Sequence, residues 1–447
     1  MTAERSAVPK RAGLLAAVGL LYASACGGPY GTEDYVAHTG PGLLVALLVL
    51  AAGLWGVPLA LATAELSARK PIEGGYYRWV REYMGDFWGY QAGVWSLFSS
   101  VLDNALYPVL FASALEYWIP GLGRGGRWLA ATAFVWILIW LNVRGIRLVG
   151  IAAVGLNAFL IAPLFVLIWA AIGHWQFNPL LPWTANGSVL DALGAGLPLA
   201  VWFHSGYAEV STAGEEIDDP RRTIPKVLLI VTPLVILSYV LPTVVALAAV
   251  GGWRTWESGQ FAVIAETLGG PWLGQWMFLA SVASFTVIFM SYVLWWSRLA
   301  WAFAADGFLP QWLVVRHPKH GTPHRVLWLY GALYAILALV PFNELLVVDI
   351  WLFGGYNLLL ALSVMRARRR EERADGGFRI PGRHGPALCA ATLGGTWVIV
   401  LASTAHQDPR AAIGGAALLL SGVVIWSVVG RFKHPPGTVA PTAEPGR

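Results

Sequence analysis

Charged residues are scarce in this chain and cysteine is almost absent. Only 12% of the 447 residues are Asp, Glu, Lys or Arg, against 57% hydrophobic, which excludes an ordinary soluble domain. Two cysteines, Cys26 and Cys389, cannot build a disulfide framework, and no cysteine or histidine cluster has the spacing of metal ligands. We therefore expect no metal and no cofactor. The longest polar connections, 304–324 and 366–385, are too short to bury a soluble core.

Long apolar runs take the place of those missing features. A spanning helix needs about 20 apolar residues to cross about 30 Å of hydrocarbon. Segments of this kind recur, so we predict an all-α integral membrane protein with about twelve transmembrane helices. The predicted segments are 12–36, 42–66, 87–117, 127–141, 149–172, 190–213, 227–250, 272–303, 325–341, 345–365, 386–403 and 411–430.

The net charge of +5 reflects how the chain is oriented in the membrane, and it predicts no nucleic-acid partner. If the amino terminus is cytosolic, most Lys and Arg residues lie in segments on the cytosolic side of the membrane, as the positive-inside rule requires. Both termini are therefore expected in the cytosol, and the tail 435–447, rich in Pro, Gly, Thr and Ala, is expected to be disordered. The arginine run at 366–373 favours a topological anchor over an anionic-lipid patch.

The first apolar segment is interrupted by a run of glycine and proline. Because a bilayer offers no water to free backbone groups, such a run is tolerated only where it lines a cavity. The helix that restarts near Thr32 carries a partial positive charge and free N–H groups at its amino end, which suit a carboxylate. The candidate substrate residues in this break are Gly27, Gly28, Tyr30 and Gly31.

A second break occurs in the sixth predicted segment. Its carbonyl groups suit an ammonium group, and its aromatic residues could close over a ligand or stack on it. The candidates are Trp202, His204, Ser205, Gly206 and Tyr207, with packing as the alternative role for each aromatic residue and for His204.

The spacing of the two breaks predicts an inverted repeat, because they fall in the first and the sixth segments. One membrane domain would then comprise a first repeat at 12–172, a second at 190–365 and two additional helices at 386–430. The small-molecule partner is expected between the two breaks.

Carboxylates inside apolar segments need a reason, since a charge at a helix centre costs about 2.5 to 3.5 kcal/mol. Asp103 and Asn104 are further candidate substrate residues. Asp103 either recognises a cationic substrate, or pairs structurally with Asn104 or a backbone group, or is protonated. Glu33 either stabilises the first turn of the restarted helix or supplies a counter-charge for a proton or cation. Glu209 resembles Asp103 with a weaker signal, and Asp349 is interpreted as structural, near a membrane face.

Four separated motifs follow one another along the chain: AELSARKPIEGGYYRWV (64–80), GYAEVSTAGEEIDDPRRTIPK (206–226), SRLAWAFAADGFLP (297–310) and GTPHR (321–325). Together and in this order they are similar to motifs of the amino acid, polyamine and organocation transporter superfamily. Two further segments, GGPYGTED (27–34) and LDNALYPVLF (102–111), resemble its plant polyamine and L-type amino-acid uptake branch.

The resemblance implies a leucine-transporter-like fold, a 5+5 inverted repeat with broken helices 1 and 6. It implies a secondary active importer of amino acids or polyamines across the plasma membrane, working by alternating access. An amino acid/amine exchanger and a non-transporting nutrient sensor are the alternatives. An integral membrane enzyme is disfavoured, because no nucleophile or metal cluster lies at one depth.

The coupling ion would be H⁺ or Na⁺. Sodium would need hydroxyl groups of helix 8, where Ser281, Ser284 and Thr286 are candidates. Protons would use Glu33, Asp103 or Glu209, and we favour protons. Leu160 stands where some proton-coupled relatives have a lysine, so coupling through a lysine is not expected.

Overall fold

The computed structural model describes residues 13–72, 75–144, 146–211, 217–257, 259–370 and 377–429. Within these ranges the regular secondary structure is helical and contains no strand, which confirms the all-α prediction. The tail 435–447, both termini and Gly74 of the motif at 64–80 lie outside the described residues.

The helices before residue 172 include two that flank the first break. A π-helical turn, Ala52–Gly56, joins the third and fourth helices into one continuous rod. The helices are α1 (Leu14–Ala25), α2 (Thr32–Thr39), α3 (Pro41–Ala51), α4 (Val57–Arg69), α5 (Gly75–Met84), α6 (Asp86–Ala114), α7 (Arg124–Val143) and α8 (Ile146–Ala171).

The later helices begin with the one that leads into the second break. They are α9 (Val189–Phe203), α10 (Pro220–Ala249), α11 (Gln260–Gly269), α12 (Pro271–Ala305), α13 (His324–Leu337), α14 (Phe342–Arg370), α15 (Gly385–Gln407) and α16 (Pro409–Val429).

Among the described residues, 8 helical segments are long and apolar enough to cross a membrane. α9 and the segment Phe159–His174 are apolar but shorter. The chain is thus a multi-pass membrane protein by length and composition, while the count of twelve spans and the 5+5 repeat stay predictions. The eight segments are Pro41–Arg69, Asp86–Tyr117, Arg124–Val143, Pro220–Ala249, Pro271–Ala305, Phe342–Arg370, Gly385–Gln407 and Pro409–Ser427.

The helices differ in how much of their apolar surface they bury. In the most apolar window of α12 and of α14, 78% of residues are buried inside the protein, against 22% in α16. α12 and α14 pack against α6 and form the centre of the bundle. On α10, Leu229 and Leu237 are exposed, as expected of side chains that face lipid tails.

Glu65 fixes one end of the bundle, at the carboxyl end of α4. Its side chain is fully buried and accepts hydrogen bonds from Arg368 Nε (2.8 Å) and Nη2 (2.6 Å), from Arg69 Nη2 (2.9 Å) and from the backbone N–H of Ile380 (2.8 Å). α4, α14 and the chain entering α15 therefore meet at a single carboxylate.

We predict that Glu65→Gln destabilises the protein by about 3 to 5 kcal/mol, because it leaves two guanidinium groups without their counter-charge. Unfolding in mixed micelles measures the change. The control is Glu82→Gln, whose partner Lys70 is 45% exposed, so that the loss should stay below about 1 kcal/mol. Equal losses in the two variants would contradict a special role for the buried network.

Candidate substrate site

The first break separates α1 from α2 over the residues where the interruption is predicted. Gly28 has φ +78° and Gly31 has φ +101°, which are left-handed conformations that side chains other than glycine rarely adopt. Ser284 of α12 donates a hydrogen bond to the Gly27 carbonyl (2.6 Å), and the Gly27 N–H donates to Tyr239 Oη (3.2 Å). Neighbouring helices thus satisfy backbone groups that the broken helix leaves free.

The second break begins where α9 ends, at Phe203. Ser205 Oγ donates to the Trp202 carbonyl (2.6 Å), and Gly206 has φ +78°. A Cβ atom at Gly206 would lie 2.8 Å from Tyr292 Oη and 3.1 Å from the Ser24 carbonyl oxygen. The two breaks are therefore in contact, and glycine is what permits the close approach.

A small cavity of about 30 Å³ lies between the two breaks, with room for roughly two water molecules. Of the predicted residues, those that line it are Gly27, Gly28, Tyr30, Trp202 and Ser205. Three tyrosines that sequence analysis did not single out also line it: Tyr107, Tyr239 and Tyr292. Tyr107 lies one helical turn after Asp103 and could have been found by that spacing, whereas the other two stand in apolar helices without a local signal.

Other predicted residues lie elsewhere. Gly31, His204, Gly206 and Tyr207 are not among the residues that line this cavity. The His204 ring is fully buried, and its Nε2 lies 3.0 Å from the Leu48 carbonyl oxygen, next to the π-helical turn. This geometry ties the second break to α3 and fits a packing role for His204.

Glu33 is fully buried and both of its oxygens have partners. Oε2 accepts from the Gly31 N–H (2.6 Å), and Oε1 accepts from the Phe261 N–H (3.4 Å) in the first turn of α11. The carboxylate therefore bridges the first break to the amino end of another helix. This arrangement fits the stabilising interpretation of Glu33 better than that of a substrate counter-charge.

Asp103 lies in α6 with 5% of its surface exposed, and it accepts a hydrogen bond from Trp202 Nε1 (2.5 Å). Trp202 lines the cavity, so its indole stands between the cavity and this carboxylate. Asn104 is fully buried, and its amide atoms have no hydrogen-bond partner among the described residues. Asn104 thus does not form the structural pair with Asp103 that was one of the interpretations of Asp103.

The remaining polar candidates sit on α12 or beside it. Glu209 is buried and accepts from Trp296 Nε1 (3.1 Å). Of the hydroxyl groups considered for sodium, that of Ser284 reaches the first break, whereas Ser281 and Thr286 donate to carbonyls of their own helix, Phe278 and Val282.

A second, larger cavity of about 800 Å³ lies beside α2, α9 and the start of α14, and we call it the vestibule. Asp34, Glu257 and Asp408 line it. It approaches the small cavity at Phe342, whose ring lies edge-on to Trp202 with centroids 5.8 Å apart. Close to Phe342, Tyr35 Oη donates to Asn343 Oδ1 (2.6 Å), so aromatic and polar contacts close the route between the cavities.

Two broken helices that touch one another beside a cavity, in a multi-pass bundle, are typical of a membrane transporter. The sequence profile of the amino acid permease family matches residues 13–429, and the chain belongs to that family. It is 32% identical over 421 residues to polyamine transporter RMV1 of Arabidopsis thaliana, covering 93% of this chain and 84% of the relative.

Two further relatives come from a second plant and from a bacterium. Polyamine transporter PUT1 of Oryza sativa subsp. japonica is 31% identical over 412 residues, which cover 91% of this chain and 76% of that protein. The uncharacterized transporter Rv1999c of Mycobacterium tuberculosis is 30% identical over 304 residues, which cover 67% of this chain and 66% of that protein. The predicted superfamily resemblance is confirmed by these matches.

We predict that Gly206→Ala lowers stability by about 1 to 3 kcal/mol and abolishes ligand binding, because the methyl group meets Ser24 and Tyr292 at a left-handed position. Thermal unfolding with and without ligand measures both effects. Gly53→Ala is the matched control, since a Cβ atom there meets nothing within 4 Å. A Gly206→Ala protein that binds ligand normally would show that the close contact of the breaks is dispensable.

Proposed function

We propose that this chain is a secondary active transporter for amino acids or polyamines, with amines as the favoured substrate class. The proposal rests on the cavity between the two helix breaks that touch one another. Trp202 lines this cavity and donates a hydrogen bond to the buried Asp103. Two plant relatives are named polyamine transporters, which supports the same substrate class. Such a protein makes and breaks no covalent bond in its substrate.

The proposed architecture is the 5+5 inverted repeat with twelve spans, inserted in the plasma membrane with both termini in the cytosol. Repeats at 12–172 and 190–365 would place α1 and α9 in equivalent positions, each ending at a break. The helices after residue 385 would be additional to the repeats. The contact between Gly206 and the end of α1 supports this placement.

The first break is poorly suited to a carboxylate in its present state. The N–H groups of Gly27 and Gly31, two of the donors expected to bind one, already donate to Tyr239 and Glu33. The groups around the cavity suit a cation better, because hydroxyl groups and aromatic rings line it and the Asp103 carboxylate lies directly behind Trp202. An ammonium group is therefore the ligand that this wall fits best.

Transport requires the cavity to change size, since about 30 Å³ cannot hold a diamine or an amino acid. We propose that substrate reaches the site from the vestibule when Trp202 and Phe342 separate. The substrate ammonium then replaces the indole N–H as the partner of Asp103. Closure behind the substrate and opening on the far side complete the alternating-access cycle.

For the coupling ion we propose protons. Glu33 already accepts two backbone hydrogen bonds, so Asp103 and Glu209 are the better carriers among the predicted carboxylates. Of the helix 8 hydroxyl groups considered for sodium, that of Ser284 reaches the first break, and it donates its hydrogen to the Gly27 carbonyl.

Reconstitution of the purified protein in liposomes tests the function directly. We expect uptake of labelled putrescine that a pH gradient stimulates and a sodium gradient leaves unchanged. Uptake that depends on a substrate loaded on the opposite side would identify an exchanger instead. Binding with negligible flux would identify a nutrient sensor.

Asp103→Asn should reduce putrescine uptake at least 100-fold while surface expression is unchanged, because the substrate loses its charged partner in a buried site. Asp86→Asn is the matched control on the same helix, since Asp86 is half exposed and pairs with Arg81. Full putrescine uptake by Asp103→Asn would remove Asp103 from the substrate site.

A further inference from the structure

Asp349 is an acidic residue with no counter-charge among the described residues. It is predicted as a structural residue near a membrane face, and the structure buries it in the packing of α14, with 1% of its surface exposed. Ser99 Oγ of α6 donates a hydrogen bond to Asp349 Oδ1 (2.5 Å). Among the described residues, neither Asp349 nor Asp103 forms an ion pair with Lys, Arg or His.

Asp349 and Asp103 belong to one neighbourhood. Ser99 precedes Asp103 by four residues, so the two side chains share one face of α6. Ser99 Oγ binds Asp349, so Asp349 contacts the same face of α6 that carries Asp103, and the two negative charges are near enough to act on one another. The other titratable groups around this pair are acidic or phenolic, namely Glu209, Tyr107, Tyr292, Tyr334 and Tyr356.

Two carboxylates on one packed helix interface repel one another in a low-dielectric interior, unless a proton or another cation lies between them. Nothing in the described part of the chain supplies that cation. The cavity beside Trp202 supplies a separate indication of a ligand, because Trp202 both lines the cavity and donates to Asp103. A cation that displaces the indole therefore arrives at the pair.

We propose that Asp103 and Asp349 together receive a primary ammonium group of the substrate, with Asp349 as a specificity-determining residue. This inference rests on the proposed function. A primary ammonium group has three N–H donors, which match one oxygen from each carboxylate and the lone pairs of Ser99 Oγ. Tertiary and quaternary amines offer one donor or none, so the site discriminates by the number of N–H groups as well as by charge.

For a diamine, this places one end at the carboxylate pair and the other in the cavity between the helix breaks. The second ammonium then meets the aromatic rings that line this cavity. A neutral amino acid has one ammonium group for the carboxylate pair and no second one to place in the cavity.

The experiment compares Asp349→Asn with the unchanged protein in liposomes, using putrescine and its N,N,N′,N′-tetramethyl derivative as substrates. The unchanged protein should prefer putrescine at least tenfold in kcat/KM. Asp349→Asn should raise KM for putrescine at least tenfold, keep kcat within about threefold, and lose the preference between the two amines. Glu344→Gln, an exposed acidic residue on the same helix, should behave like the unchanged protein.

Other results would overturn the assignment. An equal loss of uptake for both amines would show that Asp349 only maintains packing, and unchanged KM values would show that it meets no substrate. Loss of the response to a pH gradient with an intact preference would make the pair a proton carrier. Failure of the unchanged protein to transport any amine would instead refute the proposed function itself.

A milder variant covers the case in which Asp349→Asn does not fold. Ser99→Ala removes the third acceptor and keeps both carboxylates, so KM for putrescine should rise about two- to fivefold with no change for the tetramethyl derivative. Melting temperatures with saturating putrescine provide a second measurement. An unchanged preference in Ser99→Ala would also refute the three-acceptor site.

Discussion

The requirement that every backbone polar group find a partner inside the membrane governs this structure. A helix satisfies its own N–H and C=O groups, and a break in a helix transfers that task to its neighbours. Ser284 and Tyr239 provide the hydrogen-bond partners of the Gly27 backbone, and Glu33 provides the partner of the Gly31 N–H. These contacts come from α12, α10 and α2, so the break organises the helices around it. A transport site of this kind is held together by the same groups that make the break tolerable.

Much of the fold could be predicted from the sequence, because apolar length and glycine content are local properties. The interruption at 26–31 was recognisable from Gly27, Gly28, Pro29 and Gly31, and the second from a polar, glycine-containing run within an apolar segment. Charge asymmetry predicts the topology, although residues such as Arg5 and Arg447 lie outside the described ranges. The number of spans stays a prediction, since 8 segments of the described residues are long and apolar enough to cross a membrane and α9 is shorter than these.

The candidate site was harder to predict, because side-chain direction depends on packing between distant segments. Trp202 and Asp103 were both identified as candidates, but their hydrogen bond joins α9 to α6 across 99 positions of sequence. His204 and Tyr207 lie in the same break as Trp202 and yet face the π-helical turn, where Gly56 leaves room for them. For Asp349, the sequence shows its position along the helix but not its burial. Its hydrogen-bond donor, Ser99, is 250 residues away in sequence.

α14 contains 29 residues, which corresponds to a rod about 44 Å long. Its first residues, Phe342 and Asn343, border the vestibule, and near its other end Arg368 is bound to Glu65. Because α14 contributes to both places, a tilt of this helix that widened the vestibule would also displace Arg368 from Glu65. The Glu65 network would then set part of the free-energy cost of opening the vestibule.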